Sequence, residues 1–154
     1  MNLKNHEIDI INDDNLNIPS NLEDLVISIL HEEKVVEEKI VTISFVDENG
    51  MKDLYQQYYG YAQSTDVLSF VAGEIDPSSG KEILGDIIIC YPFVVQQSNK
   101  LGNQLFSEIQ LMVIHGMLHL LGYDHTSDDQ KLQMWQRQND ILRSNSIMLN
   151  QLPE

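Results

Sequence analysis

Three histidines with the spacing of a metal site lie in the segment HGMLHLLGYDH, residues 115–125. Residues four apart on an α-helix lie nearly above one another, so His115 and His119 can bind one ion from the same face. Gly122 can end the helix in a left-handed conformation, which lets His125 fold back onto that ion. Three protein ligands with a fourth position open to water are typical of catalytic zinc. The segment therefore predicts one zinc ion per chain, used to activate water for hydrolysis.

Other interpretations of these histidines stay open at this point. They could be packing or surface residues, or they could hold a structural zinc with Cys90 as fourth ligand, although its apolar strand pattern favours an inert core thiol. The spacing HxxxHxxGxxH also occurs in metzincin peptidases, where a glutamate after the first histidine is the general base. Gly116 takes that position here, which argues against a zinc peptidase.

The elements that must position the histidines follow from apolar periodicity. Predicted strands cover residues 6–11, 40–46, 66–71 and 83–90. Predicted helices cover about three turns from residue 22, then residues 52–59, 92–100, 105–121 and 127–142. Four strands with several helices predict a single α+β (α/β-like) domain over residues 1–154, with a frayed tail from about residue 146 onward.

Local patterns add detail to this prediction. The segments SNLE (20–23) and SDDQ (127–130) are capping-box patterns, in which a serine and a residue three positions on satisfy free helix-start donors. The segment DENG (47–50) predicts a turn, and residues 72–82 predict a mobile loop. The helical spacing around Trp135 favours a core position for its indole.

The charge of the chain restricts its partners. Nine lysines and arginines against 24 aspartates and glutamates give a net charge of −15 over 154 residues. Such a field repels polyanions, which argues against DNA and against non-specific nucleic-acid binding. A single cysteine, Cys90, excludes an internal disulfide and fits a reducing compartment. The sequence lacks a signal-peptide pattern and a membrane-spanning apolar run, so we expect a cytoplasmic protein with no membrane partner.

Three segments resemble one known family. The segment 115–125 closely resembles HGxLHLxGYDH, the signature of the YbeY family of bacterial zinc endoribonucleases. The segment STDVLSF (64–70) is similar to the family's PTDVLSFP, and LGDIIIC (84–90) is similar to its LGDIxIC. The order and separations agree, so the resemblance runs from about residue 40 to residue 142.

The resemblance implies a single-domain metallohydrolase with a small mixed sheet flanked by helices. It implies one zinc ion bound by His115, His119 and His125, and endonuclease activity that is specific for single-stranded RNA. The implied biological role is maturation of the 3′ end of small-subunit ribosomal RNA and ribosome quality control. The implied partners are ribosomal RNA, the small ribosomal subunit and its assembly factors.

The chain departs from the family pattern YRxKDxPTDVLSF at four positions. Tyr59 stands where the family has arginine, and Tyr61, Ala62 and Ser64 replace its lysine, aspartate and proline. An arginine would clamp a phosphate bidentately, whereas tyrosine donates one hydrogen bond and carries no positive charge. The departure and the acidic charge favour an alternative function, a zinc-stabilised ribosome-assembly factor that does not cleave RNA.

Further residues are candidates for the surroundings of the metal. Each ligand histidine needs an acceptor for its other ring nitrogen, and Asp124 and Asp86 are the predicted acceptors, with local capping as the alternative role. Thr65, Asp66 and Ser69 are predicted to line the cleft, although they could equally cap a strand end.

A group of tyrosines precedes these cleft residues. They could stack on unpaired bases, or they could form a half-buried helix face. The group comprises Tyr55, Tyr58, Tyr59 and Tyr61.

Overall fold

The computed structural model of the chain describes residues 5–152, which form four strands and five helices. The strands are β1 (Glu7–Ile11), β2 (Lys39–Val46), β3 (Val67–Val71) and β4 (Glu82–Cys90). The helices are α1 (Leu22–Glu32), α2 (Glu48–Tyr59), α3 (Tyr91–Leu101), α4 (Leu105–Leu120) and α5 (Asp128–Ser144). None of the helices within residues 5–152 has the length and apolar character that crossing a membrane requires.

The strands form one mixed sheet in the order β1-β2-β4-β3. β1, β2 and β4 are parallel, and β3 pairs antiparallel with β4 at one edge. β4 lies inside the sheet because its run of isoleucines can be buried on both faces, as the sequence predicts. The mixed sheet with flanking helices confirms the predicted α+β class.

Helix α4 lies on one face of the sheet with almost no space between them. A Cβ atom built on Gly116 would be 2.8 Å from Cγ2 of Ile87 and 3.1 Å from Oγ of Ser69. Glycine is therefore needed at position 116 for the close approach of α4 to β3 and β4. This contact also explains why no glutamate follows the first histidine, since the backbone there faces the sheet and leaves no room for a side chain.

The opposite face of the sheet carries a smaller apolar cluster under α2. It is formed by Met51, Leu68, Ile88 and Cys90, all of them buried. Burial also raises the pKa of the Cys90 thiol, which keeps it protonated and confirms the prediction of a core thiol. Cys90 thus lies in a separate cluster from the histidines on α4.

Two of the predicted helix starts need correction. Asn21, which makes no side-chain capping bond, precedes α1, so the capping box predicted at residues 20–23 is wrong. Residues 48–50 belong to α2 and not to a turn, because the Asp47 carboxylate accepts a hydrogen bond from the Gly50 N–H at 2.7 Å and starts the helix there. The capping box at Ser127 is confirmed, with both of its reciprocal bonds present.

The chain after α5 is held in place by hydrogen bonds. Oδ1 of Asn103 accepts from the N–H of Asn150 at 2.6 Å, and its Nδ2 donates to the carbonyl of Gln151 at 2.6 Å. The predicted frayed tail is therefore wrong as far as residue 152, and residues 153–154 lie outside the described part. The segment 72–82 connects β3 to β4 as a hairpin with a bridge between Ile75 and Glu82.

Candidate metal centre and active site

The three histidines of the motif converge on one point. His115 and His119 lie one turn apart on α4, and their Nε2 atoms are 3.1 Å apart. Gly122, with φ +100°, ends the helix region and turns the chain, as predicted from the sequence. His125 follows on the loop, and the candidate ligand atoms of all three rings lie within 4.8 Å of one another. This group can hold a metal ion.

Hydrogen bonds determine which nitrogen of two of these rings is available. Nδ1 of His119 lies 3.1 Å from the carbonyl oxygen of Tyr123, which can only accept, so this nitrogen carries the proton. Nδ1 of His115 lies 3.4 Å from Oε1 of Gln138, an acceptor as well. Both Nε2 atoms therefore present lone pairs toward each other at 3.1 Å. A cation between them would turn this repulsion into attraction.

Burial favours the neutral, metal-binding form of these two side chains. Burial lowers the pKa of His115, against the hydrogen bond to Gln138 and the charge of Asp66, which raise it. Burial also lowers the pKa of His119, and the charges of His115 and His125 lower it further. Two imidazoles that stay neutral at neutral pH are ready to act as ligands without first losing a proton.

The acceptors for the ring nitrogens differ from those predicted. Asp86 is exposed, and it follows the alternation of β4 onto the sheet face opposite Ile87, which contacts α4. It therefore cannot reach the histidines. Asp124 accepts from the backbone N–H of His125 at 2.7 Å and holds the turn, so it acts on His119 through its charge.

Residues that the sequence did not single out take the acceptor roles. Gln138 projects from α5 and is 7% exposed, on the same buried stripe as Met134, Ile141 and Leu142. A polar residue at that spacing on an apolar stripe was a readable signal for a buried hydrogen bond. The Tyr123 carbonyl had no such signal, because it depends on the backbone path after Gly122.

A first cavity, the β3 cleft, opens beside the histidines with a volume of about 560 Å³. Its lining includes the predicted cleft residues together with Tyr59 and Asp124. The lining residues are Tyr59, Thr65, Asp66, Val67, Leu68, Ser69, Val71, His115, His119, Gly122, Tyr123, Asp124 and His125. Oδ1 of Asp66 accepts from the N–H of Val67 at 2.8 Å and from Oγ1 of Thr65 at 3.3 Å. Asp66 is therefore held by a local cap and also faces the cleft.

A second cavity, the α5 groove, meets the first at the histidines and has a volume of about 740 Å³. It is lined by Asp66, Leu111, Met112, His115, His125, Lys131, Met134, Trp135, Gln138 and Leu152. Trp135 is 48% exposed, so the prediction of a core position is wrong. The inward face of α5 instead carries Met134, one position before Trp135, and Gln138, three positions after it.

The tyrosine group lies at the outer side of the β3 cleft. Tyr58, Tyr59 and Tyr61 are each more than half exposed. The ring of Tyr58 stacks on Phe70 with 4.1 Å between centroids, and Tyr55 contacts Tyr59 at 4.5 Å. The group is thus an exposed aromatic surface, and Tyr59 is its member that lines the cleft.

A mixed-sheet domain that gathers three imidazoles at the floor of an open cleft is the architecture of a metal-dependent hydrolase. The model of the Endoribonuclease YbeY family matches residues 3–146. The chain belongs to this family, which confirms the resemblance found in the three sequence segments and places it among hydrolases of RNA phosphodiester bonds.

Individual relatives agree with this assignment. A protein of Halalkalibacterium halodurans called Endoribonuclease YbeY is 36% identical over 90% of this chain and 94% of its own length. One of Bifidobacterium longum subsp. infantis with the same name is 38% identical over 80% of this chain and 70% of its own length. A third, from Corynebacterium kroppenstedtii, is 40% identical over 66% of this chain, and the match spans about half, 54%, of that protein.

A solved structure supports the fold. The solution structure of a Thermotoga maritima protein aligns with a TM-score of 0.56 at 29% sequence identity. The alignment covers 90% of this chain and 93% of that one. The domain architecture is therefore shared over nearly the full length of both.

Proposed function

We propose that this protein is a zinc-dependent endoribonuclease that cleaves single-stranded RNA, with His115, His119 and His125 as the zinc ligands. We propose small-subunit ribosomal RNA as its substrate, in 3′-end maturation and ribosome quality control, with the ribosomal subunit and its assembly factors as partners. The observation that carries the proposal is the pair of Nε2 atoms, 3.1 Å apart, beside a third imidazole.

The histidine geometry suits zinc. Zn–N distances of about 2.1 Å at a tetrahedral angle place neighbouring ligand nitrogens roughly 3.4 Å apart. The His115–His119 pair is within a few tenths of an ångström of that separation, and the exposed loop lets the third ring adjust. Zinc bound there would lower the pKa of a water molecule toward 7 and polarise a phosphoryl oxygen.

Asp66 is the carboxylate best placed to take a proton during hydrolysis. It lines both cavities that meet at the histidines. Its Oδ1 is engaged by Val67 and Thr65, which fixes the carboxylate and leaves the other oxygen for a water molecule. A general base held in one orientation accepts a proton at lower reorganisation cost than a mobile one. In this role Asp66 replaces the glutamate for which the backbone at Gly116 has no room.

The shape of the site favours single-stranded substrates. The cleft is open, and exposed aromatic rings flank it on the Tyr59 side. Unpaired bases can stack on such rings whatever their sequence, whereas paired bases are hidden inside a duplex. The relatives carry the name endoribonuclease, in agreement with this substrate class.

The experiment that tests the proposal compares substrates and metal states in one assay. Zinc-loaded protein is incubated with single-stranded RNA, with the same RNA as a duplex, and with casein, each with and without a chelator. We expect cleavage of the single-stranded RNA alone, its loss with chelator, and its return with added zinc. Cleavage of casein, or RNA cleavage that resists the chelator, would contradict the proposal.

Two histidine variants localise the activity. His119→Ala removes a proposed ligand from α4. We expect it to lower the zinc content, and to lower the rate of RNA cleavage by at least about a thousandfold. His31→Ala is the matched control, because His31 is an exposed imidazole on α1 that is not part of the metal-binding group. Equal zinc content in both variants would place the metal elsewhere.

The alternative function, a zinc-stabilised assembly factor without nuclease activity, is supported by one observation. Tyr59 places a neutral ring in the β3 cleft where the family has arginine. The variant Tyr59→Arg separates the two functions. A large gain in RNA cleavage would point to a nuclease weakened by the loss of the arginine, whereas no gain would point to the assembly role.

A further inference from the structure

The α5 groove carries features that the metal chemistry does not require. Trp135 is the single tryptophan of the chain, and 48% of its surface is exposed at the groove. A large aromatic side chain costs free energy when it is left in water, so its exposure in a concave site points to a ligand. Because a planar indole stacks well on a nucleobase, the chemistry of this ligand is that of an unpaired nucleotide.

Lys131 supplies a positive charge at the same place. Its Nζ lies 4.7 Å from the centre of the Trp135 ring, one helical turn away on α5. Among the described residues that line the two cavities, Lys131 carries the sole permanent positive charge. It forms no ion pair within residues 5–152, so its charge is available to a phosphate.

The position of the groove connects these two side chains to the reaction. The α5 groove and the β3 cleft share Asp66, His115 and His125, so a strand that crosses the histidine group can occupy both. The floor of the groove is apolar, with Met112 and Met134 buried beneath it. Its volume of about 740 Å³ lies in the roughly 300–1,000 Å³ range of small-ligand sites, enough for a base with its ribose.

We infer that the α5 groove is a nucleotide subsite, in which the Trp135 indole stacks on the base next to the scissile phosphate and Lys131 binds the phosphate that follows. This inference rests on the proposed function and adds the position at which the RNA binds. It also gives RNA a positive charge to bind in a chain of charge −15 that lacks the family arginine, because Lys131 lines the second cavity at the histidines.

Fluorescence of the single tryptophan tests the subsite directly. A nuclease-resistant single-stranded oligonucleotide, with 2′-O-methyl and phosphorothioate groups, is titrated into the zinc-loaded protein. We expect quenching of the Trp135 emission, since a stacked base changes the surroundings of the only indole. The same titration with an unstructured acidic peptide should leave the emission unchanged. Quenching by the peptide and not by the oligonucleotide would overturn the inference.

Two variants and a control then measure affinity. Trp135→Leu should weaken oligonucleotide binding about 5- to 100-fold, the range that base–aromatic stacking gives. Lys131→Gln should weaken binding and lower the slope of log affinity against log salt by about 1. Lys100→Gln is the matched control, because Lys100 is an exposed lysine on α3 that lines neither cavity. Equal affinities in all three variants would overturn the subsite.

Steady-state cleavage distinguishes this inference from the proposed function. We expect Trp135→Leu and Lys131→Gln to raise KM for single-stranded RNA more than they change kcat, with zinc content unchanged, because they remove binding to substrate and transition state alike. Cleavage by the native chain with an unaltered KM in both variants would leave the nuclease in place and refute the subsite. Absence of cleavage by the native chain, with quenching intact, would refute the nuclease and leave the subsite in place.

Discussion

The metal-binding side of the site and its two substrate-facing sides are held in different ways. His115 and His119 project from a helix that is mostly buried in the core, and each ring has a hydrogen-bond acceptor. Tyr59 and Trp135, which line the two cavities that meet at the histidines, are each about half exposed. The candidate ligands are thus positioned by the core, while the groups proposed to contact RNA are surface residues.

This difference explains where the chain departs from its family. A change at the metal side alters packing against the sheet, as the absence of space beside Gly116 shows. A change at Tyr59 alters an exposed ring and leaves the fold intact. Residues 115–125 match the family signature, whereas the exposed Tyr59 is one of the four positions that depart from the pattern given by the resemblance. Four predictions test this comparison.

Asp66 should give the largest effect, because it lines both of the cavities that meet at the histidines. Asp66→Asn keeps the acceptor for the Val67 N–H and removes the negative charge. We expect RNA cleavage to fall by about 10² to 10⁴ in kcat, the usual range for loss of a general base. Zinc content, measured by elemental analysis, should stay at one per chain. A fall in zinc content that parallels the loss of activity would show that Asp66 supports the metal instead.

Gly116 should be the position beside the histidines at which an added side chain lowers stability most. Gly116→Ala adds a methyl group 2.8 Å from Ile87, and we expect it to lower the free energy of unfolding by about 1–3 kcal/mol, as measured by urea denaturation. The double variant Gly116→Ala/Ile87→Ala makes room for the methyl group. Its loss should therefore be smaller than the sum of the two single losses. Additive losses would mean that α4 and the sheet are less closely packed than described.

Gln138 should affect metal binding through its contact with His115. Gln138→Leu removes the acceptor for Nδ1 of His115, and we expect zinc affinity to fall about 10- to 100-fold in competition with a chromophoric chelator. Gln136→Leu, a change at an exposed position on the same helix, is the control. Because Gln138 also lines the α5 groove, the two variants are compared by zinc affinity in the absence of RNA. Unchanged zinc affinity in Gln138→Leu would exclude a role for this bond in orienting the ring.

The pH dependence of stability should show the smallest effect. In the metal-free protein His115 and His119 have a folded-state pKa below the value of about 6.5 expected in the unfolded chain. The unfolded state then binds more protons as the pH falls below about 6.5, so stability is full above that pH and is lost on acidification. Urea unfolding between pH 5 and 7 measures the slope, and His119→Gln should have a shallower one. Zinc retention should fall in the same window, because protons compete for the ligand nitrogens.

The interpretation of α5 shows the limit of periodicity. The sequence predicted the helix and its capping box at Ser127, because both depend on neighbouring residues. The sequence analysis assigned Trp135 to the core and overlooked Gln138. In the structure Trp135 is exposed and Gln138 is buried. Two apolar stripes could be drawn on this helix, and which of them faces inward depends on how α5 meets α4. A helix by itself does not determine that orientation.

The convergence of the three histidines was determined by local sequence. Four-residue spacing on a helix, followed by a glycine that tolerates a left-handed backbone, brings three imidazoles together without help from distant segments. The partners of those rings were decided by the tertiary structure. Gln138 reaches His115 from another helix, and β4 turns Asp86 to the far face of the sheet. Short-range geometry can be read from residue order, whereas contacts between elements depend on how their surfaces pack.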